Sequence, residues 1–481
     1  MVLELVASRV LSPYFGNSNF VWTSVIGIIL LSTSIGNYFG GKIADKYNKS
    51  FSLRIILLIG STLVLLIPFV QKMLLTSVAE SITSVGAGAI ICTIVLFFLP
   101  SMCIGLANPI IFKLKLDNLE SAGRTAGKLN AIATIGGILG TFLGGFVLIP
   151  YVGSTYIIFV LAMILALLVL LVDLKLLDWL NLIILPILII SSVFMGLYIN
   201  QNAINKRRVL NGEIGCAVEM DTEYGRVKVY NTYYNDKLVR VFSANNGLES
   251  MMYLDDEYKD TLVFPYNNYY DYMFATETSI STTLLIGGGG FTYPRHFLHM
   301  QDQASMDVVE IDPKVVEIAY EYFDLAELTQ DYSTTGKRLN IFIEDGRVYL
   351  NRTLKKYDAI LNDSFTGAMP ALILTTIECI QKIKSCLTAN GLYMTNIIGS
   401  LEGKYSRFLH AEVNTLKQVF QNVYIIPCAT TQEDVDQNIM VIATDQNLYF
   451  ENAVSINLSP TELVLTDAYD SIEQLVPKIA R

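Results

Sequence analysis

Residues 282–312 read TTLLIGGGGFTYPRHFLHMQDQASMDVVEID, and they decide the fold of the C-terminal half of the chain. Two short apolar runs, TTLLI and DVVEI, enclose a stretch of helical composition, and four glycines follow the first run. A strand, a glycine-rich turn, a helix and a second strand form the unit from which parallel sheets are built. The pattern therefore predicts a βαβ unit.

The same alternation continues through three further apolar runs, LNIFI, YDAILN and GLYMTNI. Each run is long enough for a strand, and a stretch of helical composition follows it. We predict helices at 293–302, 313–323, 346–355, 370–387 and 404–420. Alternation of this kind favours a parallel, doubly wound sheet with right-handed crossovers. The sequence thus predicts a doubly wound α/β domain over 276–481.

A different rhythm precedes this domain. Residues 215–243 alternate apolar and polar side chains and contain the turn sequences Glu-Tyr-Gly and Tyr-Asn-Asp. Alternation with period two indicates half-buried antiparallel strands. We therefore expect a small antiparallel β unit within 201–275.

The N-terminal part is apolar. Of the 481 residues, 52% are hydrophobic and only 16% are charged, whereas soluble domains carry about 25% charged residues. Runs long enough to cross about 30 Å of hydrocarbon occur at 21–41, 53–71, 83–113, 129–150, 153–173 and 177–199. The sequence predicts a transmembrane bundle of six or seven helices over 1–200, in an integral membrane protein.

Residues 1–16 are apolar but short, and we expect them to be the tail of a further helix whose beginning is missing. Within that stretch Glu4 is the ionisable side chain that could lie inside the bilayer, where charges usually mark function. Small residues at every fourth position let helix backbones approach closely in lipid. This pattern occurs at Gly36 and Gly40, and again at Gly136, Gly140 and Gly144.

Charge and cysteine content exclude several classes of function. The total formal charge is −10, and the acidic residues concentrate after residue 200. An acidic domain is unsuited to nucleic acid, whose phosphates require a basic surface. The six cysteines show neither the paired spacing of a disulfide framework nor a CxxC metal motif. We therefore expect no nucleic acid partner and no metal.

Polar groups follow the predicted strands at the edge where ligands bind in such sheets. The glycines Gly287, Gly288 and Gly289 allow a ligand to lie against backbone at a helix start. Glu310 follows the second strand, where an acid can accept hydrogen bonds from both hydroxyls of a ribose. Asp345 and Gly346 follow the third strand, and that carboxylate can receive an adenine amino group. Asp363 follows the fourth strand, at the centre of the edge.

Taken together, these stretches resemble the spermidine synthases (aminopropyltransferases), and more closely their membrane-fused relatives. The resemblance rests on LLIGGGGFTYPRHFL, MDVVEIDPKVVEIAYEYF, IEDGRVYL, YDAILNDSFTGAMPALILTT, ANGLYMTNI and LTDAYDSIEQL. Upstream, LVASRVLSPYFGNSNFVWTSVIG and GGKIADKY resemble the membrane part of the same fused proteins.

The resemblance implies a Rossmann-like fold of the S-adenosylmethionine-methyltransferase type over 276–481. It also implies transfer of an aminopropyl group from decarboxylated S-adenosylmethionine to a polyamine or another small amine. It implies that Glu310 holds the ribose, that Asp345 holds the adenine and that Asp363 is the catalytic acid group beside the amine. The stretch NNGLES aligns with one that contributes a glutamine, a place taken here by Glu249. The stretch NYYDYM aligns with a Tyr-x-Glu element of the amine site and supplies Tyr269, Tyr270 and Asp271. Because soluble relatives usually dimerise, a homodimer is expected.

Two departures from the family pattern concern the binding of cations. Soluble spermidine synthases follow the glycines with an aspartate that binds the aminopropyl ammonium, and that place is Gly290 here. They also carry a second acid and a proline after the catalytic aspartate. Here those places are taken by Ser364, Phe365, Thr366 and Gly367. Without the first aspartate, Arg295 or His296 could pair with the carboxylate of ordinary S-adenosylmethionine.

These departures leave two other hypotheses open. One is a different S-adenosylmethionine-dependent enzyme, a methyl or aminocarboxypropyl transferase on the same sheet. The other is a transport or sensing protein whose nucleoside domain only binds its ligand.

The side of the membrane is a separate prediction. Lysines and arginines gather in alternate connections, which the positive-inside rule places in the cytoplasm. Counting six spans then puts residues 201 onward outside, whereas Lys206, Arg207 and Arg208 favour the inside. We expect a cytoplasmic catalytic domain because the donor nucleoside is cytosolic.

Overall fold

The computed structural model describes all residues except 17–18, 83, 117–121, 173–178, 277–278, 331–337, 367–368, 404, 460–461, 469–474 and 476–481. The chain divides into two compact units. One comprises Met1–Asn205 with Glu219–Val227, and the other comprises Lys206–Val218 with the residues from Lys228 onward. The domain limits 1–200, 201–275 and 276–481 stay predictions.

The N-terminal unit consists mainly of helices. They are α1 (Val2–Phe15), α2 (Asn19–Lys46), α3 (Lys49–Ser81), α4 (Val85–Thr93), α5 (Leu99–Lys115), α6 (Ala122–Leu143), α7 (Ile149–Val152), α8 (Ser154–Val172) and α9 (Trp179–Leu210), whose last residues belong to the other unit. Short π-helical segments, Ile94–Phe98 and Gly144–Leu148, join α4 to α5 and α6 to α7.

Six helical segments among the described residues are long and apolar enough to cross a membrane. They are Asn19–Lys46, Lys49–Ser81, Val85–Lys115, Ala122–Leu148, Ser154–Val172 and Pro186–Leu210. Each contains most of one of the six predicted apolar runs. The helical character of this region is therefore confirmed, and its insertion in a bilayer stays a prediction.

Helices α2 and α5 pack with their backbones in contact. A Cβ atom on Gly36 would lie 2.4 Å from the carbonyl oxygen of Met102, and one on Gly40 would lie 2.5 Å from that of Leu106. Any side chain at these two glycines would push the helices apart. The second glycine series is less crowded, since a Cβ on Gly136 would meet open space.

The C-terminal unit holds most of a small four-stranded sheet. Its strands are β1 (Gly215–Asp221), β2 (Arg226–Tyr234), β3 (Lys237–Ala244) and β4 (Gly247–Tyr253), in the order β1-β2-β3-β4. Strands β3 and β4 pair antiparallel, with a β-bulge in β4. The fourth strand extends beyond the predicted pattern 215–243. A 3₁₀ segment, Pro265–Ala275, leads from this sheet to the next.

A seven-stranded sheet forms the centre of the same unit. Its strands are β5 (Thr282–Ile286), β6 (Ser305–Glu310), β7 (Leu339–Ile343), β8 (Tyr357–Asn362), β11 (Leu387–Gly399), β12 (Asn422–Pro427) and β13 (Gln437–Thr444), and a separate two-stranded ribbon consists of β9 (Phe365–Thr366) and β10 (Met369–Pro370). The order is β12-β13-β11-β8-β5-β6-β7. Six strands run in the same direction, and β13 alone among the described strands of this sheet runs antiparallel to its neighbours β11 and β12. The five strands that the sequence predicted are parallel as expected, and the antiparallel edge was not predicted.

Helices cover the faces of this sheet. They are α10 (Thr292–Met300), α11 (Pro313–Tyr322), α12 (Leu325–Thr329), α13 (Gly346–Arg352), α14 (Ile377–Cys386) and α15 (Arg407–Lys417). The central strands are buried on both sides, as the unbroken burial of Tyr357–Asn362 shows. Two apolar clusters, one on each face, enclose the sheet. Position 404, the predicted start of the last helix, lies outside the described residues.

Candidate active site

The chain order of the sheet reverses between β5 and β8. Strand β5 pairs with β6 on one side and with β8 on the other, so the helices that follow β5 and β8 leave in opposite directions. The backbone N–H of Asp363 donates to the carbonyl oxygen of Ile286 at 2.9 Å. Ligands of open α/β sheets bind at such a switch point, beyond the carboxyl ends of the strands. The glycine turn and Asp363 therefore lie side by side.

The turn after β5 requires glycine for two reasons. Gly287 and Gly289 adopt φ angles of +97° and +49°, in the region that side chains disfavour. A Cβ atom on Gly287 would also lie 2.4 Å from the carbonyl oxygen of Asp363. The turn can thus pack directly against the end of β8.

Glu310 ties the glycine turn to the end of β6. One carboxylate oxygen accepts from the N–H groups of Gly288 at 2.9 Å and Gly289 at 3.2 Å. The other accepts from the N–H of Asp312 at 3.0 Å. Burial raises the pKa of the Glu310 carboxyl, and these three N–H groups act against that increase. Since each carboxylate oxygen can accept more than one bond, both can still receive a ribose hydroxyl.

Asp345 and Gly346 begin helix α13 at the end of β7. The side chain of Asp345 caps that helix, because its Oδ1 accepts from the N–H of Val348 at 3.0 Å. Gly346 packs against β5, where a Cβ atom would lie 2.7 Å from Cγ2 of Ile286. The close packing keeps the start of α13 next to the glycine turn.

Asp363 is half-buried, and each of its oxygens accepts a hydrogen bond. The hydroxyl of Tyr266 donates to Oδ2 at 3.0 Å, and Nδ2 of Asn396 donates to Oδ1 at 3.4 Å. Burial raises the pKa of Asp363 to about 6, although the donors Tyr266, Asn396 and Tyr270 favour the charged form. A carboxyl group with this pKa is largely ionised at neutral pH and can still take up a proton.

The tyrosine-rich segment before β5 lies against this carboxylate, but its members differ in position. Tyr269 is half-buried and donates to the carbonyl oxygen of Cys428 at 3.2 Å. Tyr270 is fully buried and donates to the carbonyl oxygen of Asn362 at 3.3 Å. Tyr270 therefore supports the end of β8 from within the core.

Asp271, in the 3₁₀ segment, contacts two side chains of helix α10. Its Oδ1 accepts from the hydroxyl of Tyr293 at 3.0 Å, and its Oδ2 lies 3.0 Å from Nε2 of His296. The hydrogen bond with Asp271 raises the pKa of His296. A contact between Asp271 and the substrate amine stays a prediction.

Arg295 is buried and points away from solvent. It donates to the carbonyl oxygen of Asp324 at 2.9 Å and lies 3.6 Å from a carboxylate oxygen of Glu327. Both Arg295 and His296 thus have protein partners already. This arrangement does not favour their pairing with a donor carboxylate.

Glu249 lies on β4 and reaches the same edge of the sheet. Its negative charge adds to the burial and to the charge of Asp363 in raising the pKa of Tyr266. Its neighbour Ser250 accepts from the N–H of Gly290 at 2.9 Å. The structure therefore brings Glu249, Asp363 and the glycine turn together.

Three residues of this arrangement were not identified as site residues from the sequence, namely Tyr266, Asn396 and Ser250. A weak signal existed for Asn396, which lies near the carboxyl end of the strand next to β8. The rule that ligands bind beyond the carboxyl ends of the strands applies there. Tyr266 and Ser250 lie outside the seven-stranded sheet, so that rule does not reach them. Gly367, one of the departures noted above, lies outside the described residues. Among the described residues, no three His, Cys, Asp or Glu side chains group as metal ligands.

The strand order and the acids at the strand ends define a Rossmann-like domain of methyltransferase type, preceded by a mostly helical region. Residues 273–452 match the spermine/spermidine synthase domain. With the relatives described next, this match shows that the chain belongs to the spermine/spermidine synthase family and is an enzyme of the aminopropyltransferase type.

Two named relatives are polyamine aminopropyltransferases. That of Thermococcus kodakarensis is 30% identical over 209 residues, which are 43% of this chain and 68% of that protein. That of Vibrio vulnificus is 33% identical over 144 residues, which are 29% of this chain and 44% of that protein. Among solved structures, a probable spermidine synthase from Corynebacterium glutamicum is similar with a TM-score of 0.44 and 20% identity, over 54% of this chain and 98% of that chain.

Proposed function

We propose that the protein is a membrane-anchored polyamine aminopropyltransferase. It would transfer the aminopropyl group from decarboxylated S-adenosylmethionine to an amine. The observation that carries this proposal is the position of Asp363, a half-buried carboxylate hydrogen-bonded by Tyr266 and Asn396 directly beside the glycine turn. The reaction requires a base next to the place where the nucleoside binds.

The nucleoside of the donor would lie across the carboxyl ends of β5, β6 and β7. We propose that Glu310 accepts hydrogen bonds from the ribose hydroxyls and that Asp345 accepts one from the adenine amino group. The backbone of Gly287, Gly288 and Gly289 would contact the donor, with Gly346 giving close access beside it. Both carboxylates are already oriented by backbone N–H groups.

The chemistry is a displacement at carbon. The neutral nitrogen of the amine attacks the methylene carbon next to the sulfonium, an N–C bond forms, and the C–S bond breaks. Its electron pair goes to sulfur, which leaves as the neutral thioether of methylthioadenosine. Alkylammonium groups have pKa values near about 10, so a proton must leave the amine. Asp363 would accept it, a contribution on the order of 10²–10⁴-fold.

The acceptor amine would enter beside the tyrosine-rich segment. We propose that Tyr269 and Asp271 line its path and that Tyr270 supports Asp363 from within the core. Glu249 would contribute negative charge where the donor's three-carbon chain meets the amine. Aromatic rings and carboxylates attract the methylenes and ammonium groups of a polyamine.

The membrane anchor is a separate part of the proposal. The six long apolar segments support insertion by their length and composition. Because the donor is a cytosolic nucleoside, we propose that the catalytic domain faces the cytoplasm.

Mass spectrometry of reaction products tests this function. The purified full-length protein in detergent is incubated with a set of di- and polyamines, once with decarboxylated and once with intact S-adenosylmethionine. We expect methylthioadenosine and an extended polyamine from the decarboxylated donor, and loss of both products in Asp363→Asn.

Other products would contradict the proposal and identify the alternative. S-adenosylhomocysteine from the intact donor would indicate a methyltransferase. Methylthioadenosine from the intact donor alone would indicate an aminocarboxypropyl transferase. Donor binding without turnover would favour a sensing or transport protein.

A further inference from the structure

Glu249 occupies an irregular position in its strand. Phe242 of β3 pairs with Ser250, and Ser243 pairs with Leu248, so Glu249 is the extra residue of a β-bulge. A bulge breaks the alternation of side chains and redirects one of them, and bulges are frequent next to active sites. The bulge thus allows consecutive side chains of β4 to reach the same edge of the catalytic sheet.

The contacts of neighbouring residues identify this edge as the one that carries the glycine turn and Asp363. The hydroxyl of Ser250 accepts from the N–H of Gly290, at the end of the glycine turn. The charge of Glu249 acts on Tyr266, and Tyr266 donates to Asp363. Glu249, Tyr266 and Asp363 are all half-buried rather than enclosed. The charge of Glu249 therefore acts on the same tyrosine that donates to Asp363, and the next residue of β4 contacts the glycine turn.

Position 290 has no room for an acid. A Cβ atom there would lie 2.9 Å from Cβ of Ser250 and 3.0 Å from the ring of Phe323. The space that a side chain would need is thus filled by two neighbours. A cation at this end of the glycine turn must find its negative partner elsewhere.

A second polar group near Asp363 also suits a cationic or N–H-bearing ligand. Asn396 is buried with 3% of its surface exposed, and its Nδ2 donates to Asp363. Its Oδ1 is buried and accepts no hydrogen bond from the described residues. Buried acceptors without a donor are rare in folded proteins and point to a missing partner.

On the basis of the aminopropyl transfer proposed above, we propose that Glu249 binds the terminal ammonium of the donor's three-carbon chain. A primary ammonium is charged near neutral pH, and a carboxylate forms a strong charge-assisted hydrogen bond with it. The carboxylate of intact S-adenosylmethionine would approach the same negative charge and be repelled. Glu249 would therefore select the decarboxylated donor.

Binding to the purified full-length protein, measured by isothermal titration calorimetry, tests this assignment. Decarboxylated S-adenosylmethionine carries the ammonium, whereas methylthioadenosine shares its nucleoside and lacks that group. For Glu249→Gln we expect Kd for the donor to rise about 10- to 100-fold, the range of one charge-assisted hydrogen bond. We expect Kd for methylthioadenosine to change by less than about twofold. Glu249→Asp keeps the charge and should recover part of the donor affinity.

The exposed Glu257 is the matched control, because Glu257→Gln removes the same charge away from the strand ends and should change neither Kd. Equal weakening of both ligands by Glu249→Gln would overturn the inference, since Glu249 would then only support the fold of the site. Unchanged donor binding with a raised KM for the amine would also overturn it and would place Glu249 in the acceptor site. If the unmodified protein bound neither nucleoside, the proposed function would fail first.

Discussion

In the reaction proposed above, Asp363 is the residue on which the chemistry depends. Its burial favours the protonated form, while the donors Tyr266 and Asn396 favour the carboxylate. The balance leaves the pKa at about 6. Activity should then fall as the pH decreases through about 6, because the group that we propose as the acceptor of the amine proton becomes protonated.

Tyr266→Phe tests this balance. Loss of a hydrogen bond to the charged form raises the pKa of a carboxyl group. We expect the acidic limb of the pH profile of kcat/KM to move upward by on the order of one pH unit. Activity would fall most between pH 6 and 7 and least at higher pH, as steady-state assays across pH can measure.

Tyr269→Phe is the control for this substitution, because it removes a hydroxyl that donates to the backbone of Cys428 instead. The acidic limb of the pH profile of kcat/KM for Tyr269→Phe should stay in place. A uniform loss of kcat/KM at every pH in Tyr266→Phe would show that Tyr266 affects the fold rather than the proton affinity of Asp363.

Residues differ in how far the sequence alone could identify them. Glu310 ends β6, and Asp345 and Asp363 follow β7 and β8 within two residues. Because ligands of such sheets bind at the carboxyl ends of the strands, all three are expected at one edge. Tyr266 is one of 27 tyrosines, and only the folded path of Pro265–Ala275 brings it to Asp363. Such contacts depend on tertiary structure, which no local pattern encodes.

Among the elements, the turn between β5 and α10 has the least freedom. Its first glycine combines a positive φ with backbone contact to the residue after β8. The turn and Asp363 are thus coupled through the main chain. A change in one should displace the other.

Gly287→Ala should therefore reduce both stability and turnover. The strained φ alone costs on the order of 1–3 kcal/mol, and the added methyl group would push against the carbonyl oxygen of Asp363. We expect a lower thermal midpoint by circular dichroism and at least about tenfold slower release of methylthioadenosine.

Gly403 provides a control with the strain but without the contact. Its φ is +86°, and a Cβ atom there would meet open space. Gly403→Ala should lower the thermal midpoint and leave turnover nearly unchanged. If Gly287→Ala kept full activity, the turn would not position Asp363.

Five strands of the sheet were predicted from the sequence, whereas the strand pairing at its last edge was not. Strands β5, β6, β7, β8 and β11 were recognised because each is a short apolar run followed by a helix. The run at Gln437–Thr444 has the same composition, but no helical pattern separates it clearly from β12. Apolar composition indicates a strand and does not give its direction, so the antiparallel pairing of β13 was missed.

At the scale of the whole molecule, an apolar helical region and an acidic catalytic domain share one chain. The chain lengths of the six long segments suit a bilayer. The close packing of α2 and α5 through Gly36 and Gly40 suits helix association in lipid.

Two measurements test the membrane part of the proposal. The full-length protein should remain in the membrane fraction after an alkaline wash, which removes peripheral proteins. A reporter fused to the C-terminus should be active only if it is one that works in the cytoplasm. Release by the wash would contradict the anchor, and activity of a reporter that works only outside the cytoplasm would contradict the orientation.

The carboxylate of Glu310 has a consequence for turnover. It joins Gly288, Gly289 and Asp312 through backbone N–H groups. These hydrogen bonds within the protein restrain the three segments, which reduces the entropy lost on binding. In the proposed reaction, the donor and its spent nucleoside would meet the same surface. Released methylthioadenosine would therefore compete with the donor for the enzyme, in proportion to its concentration in the cell.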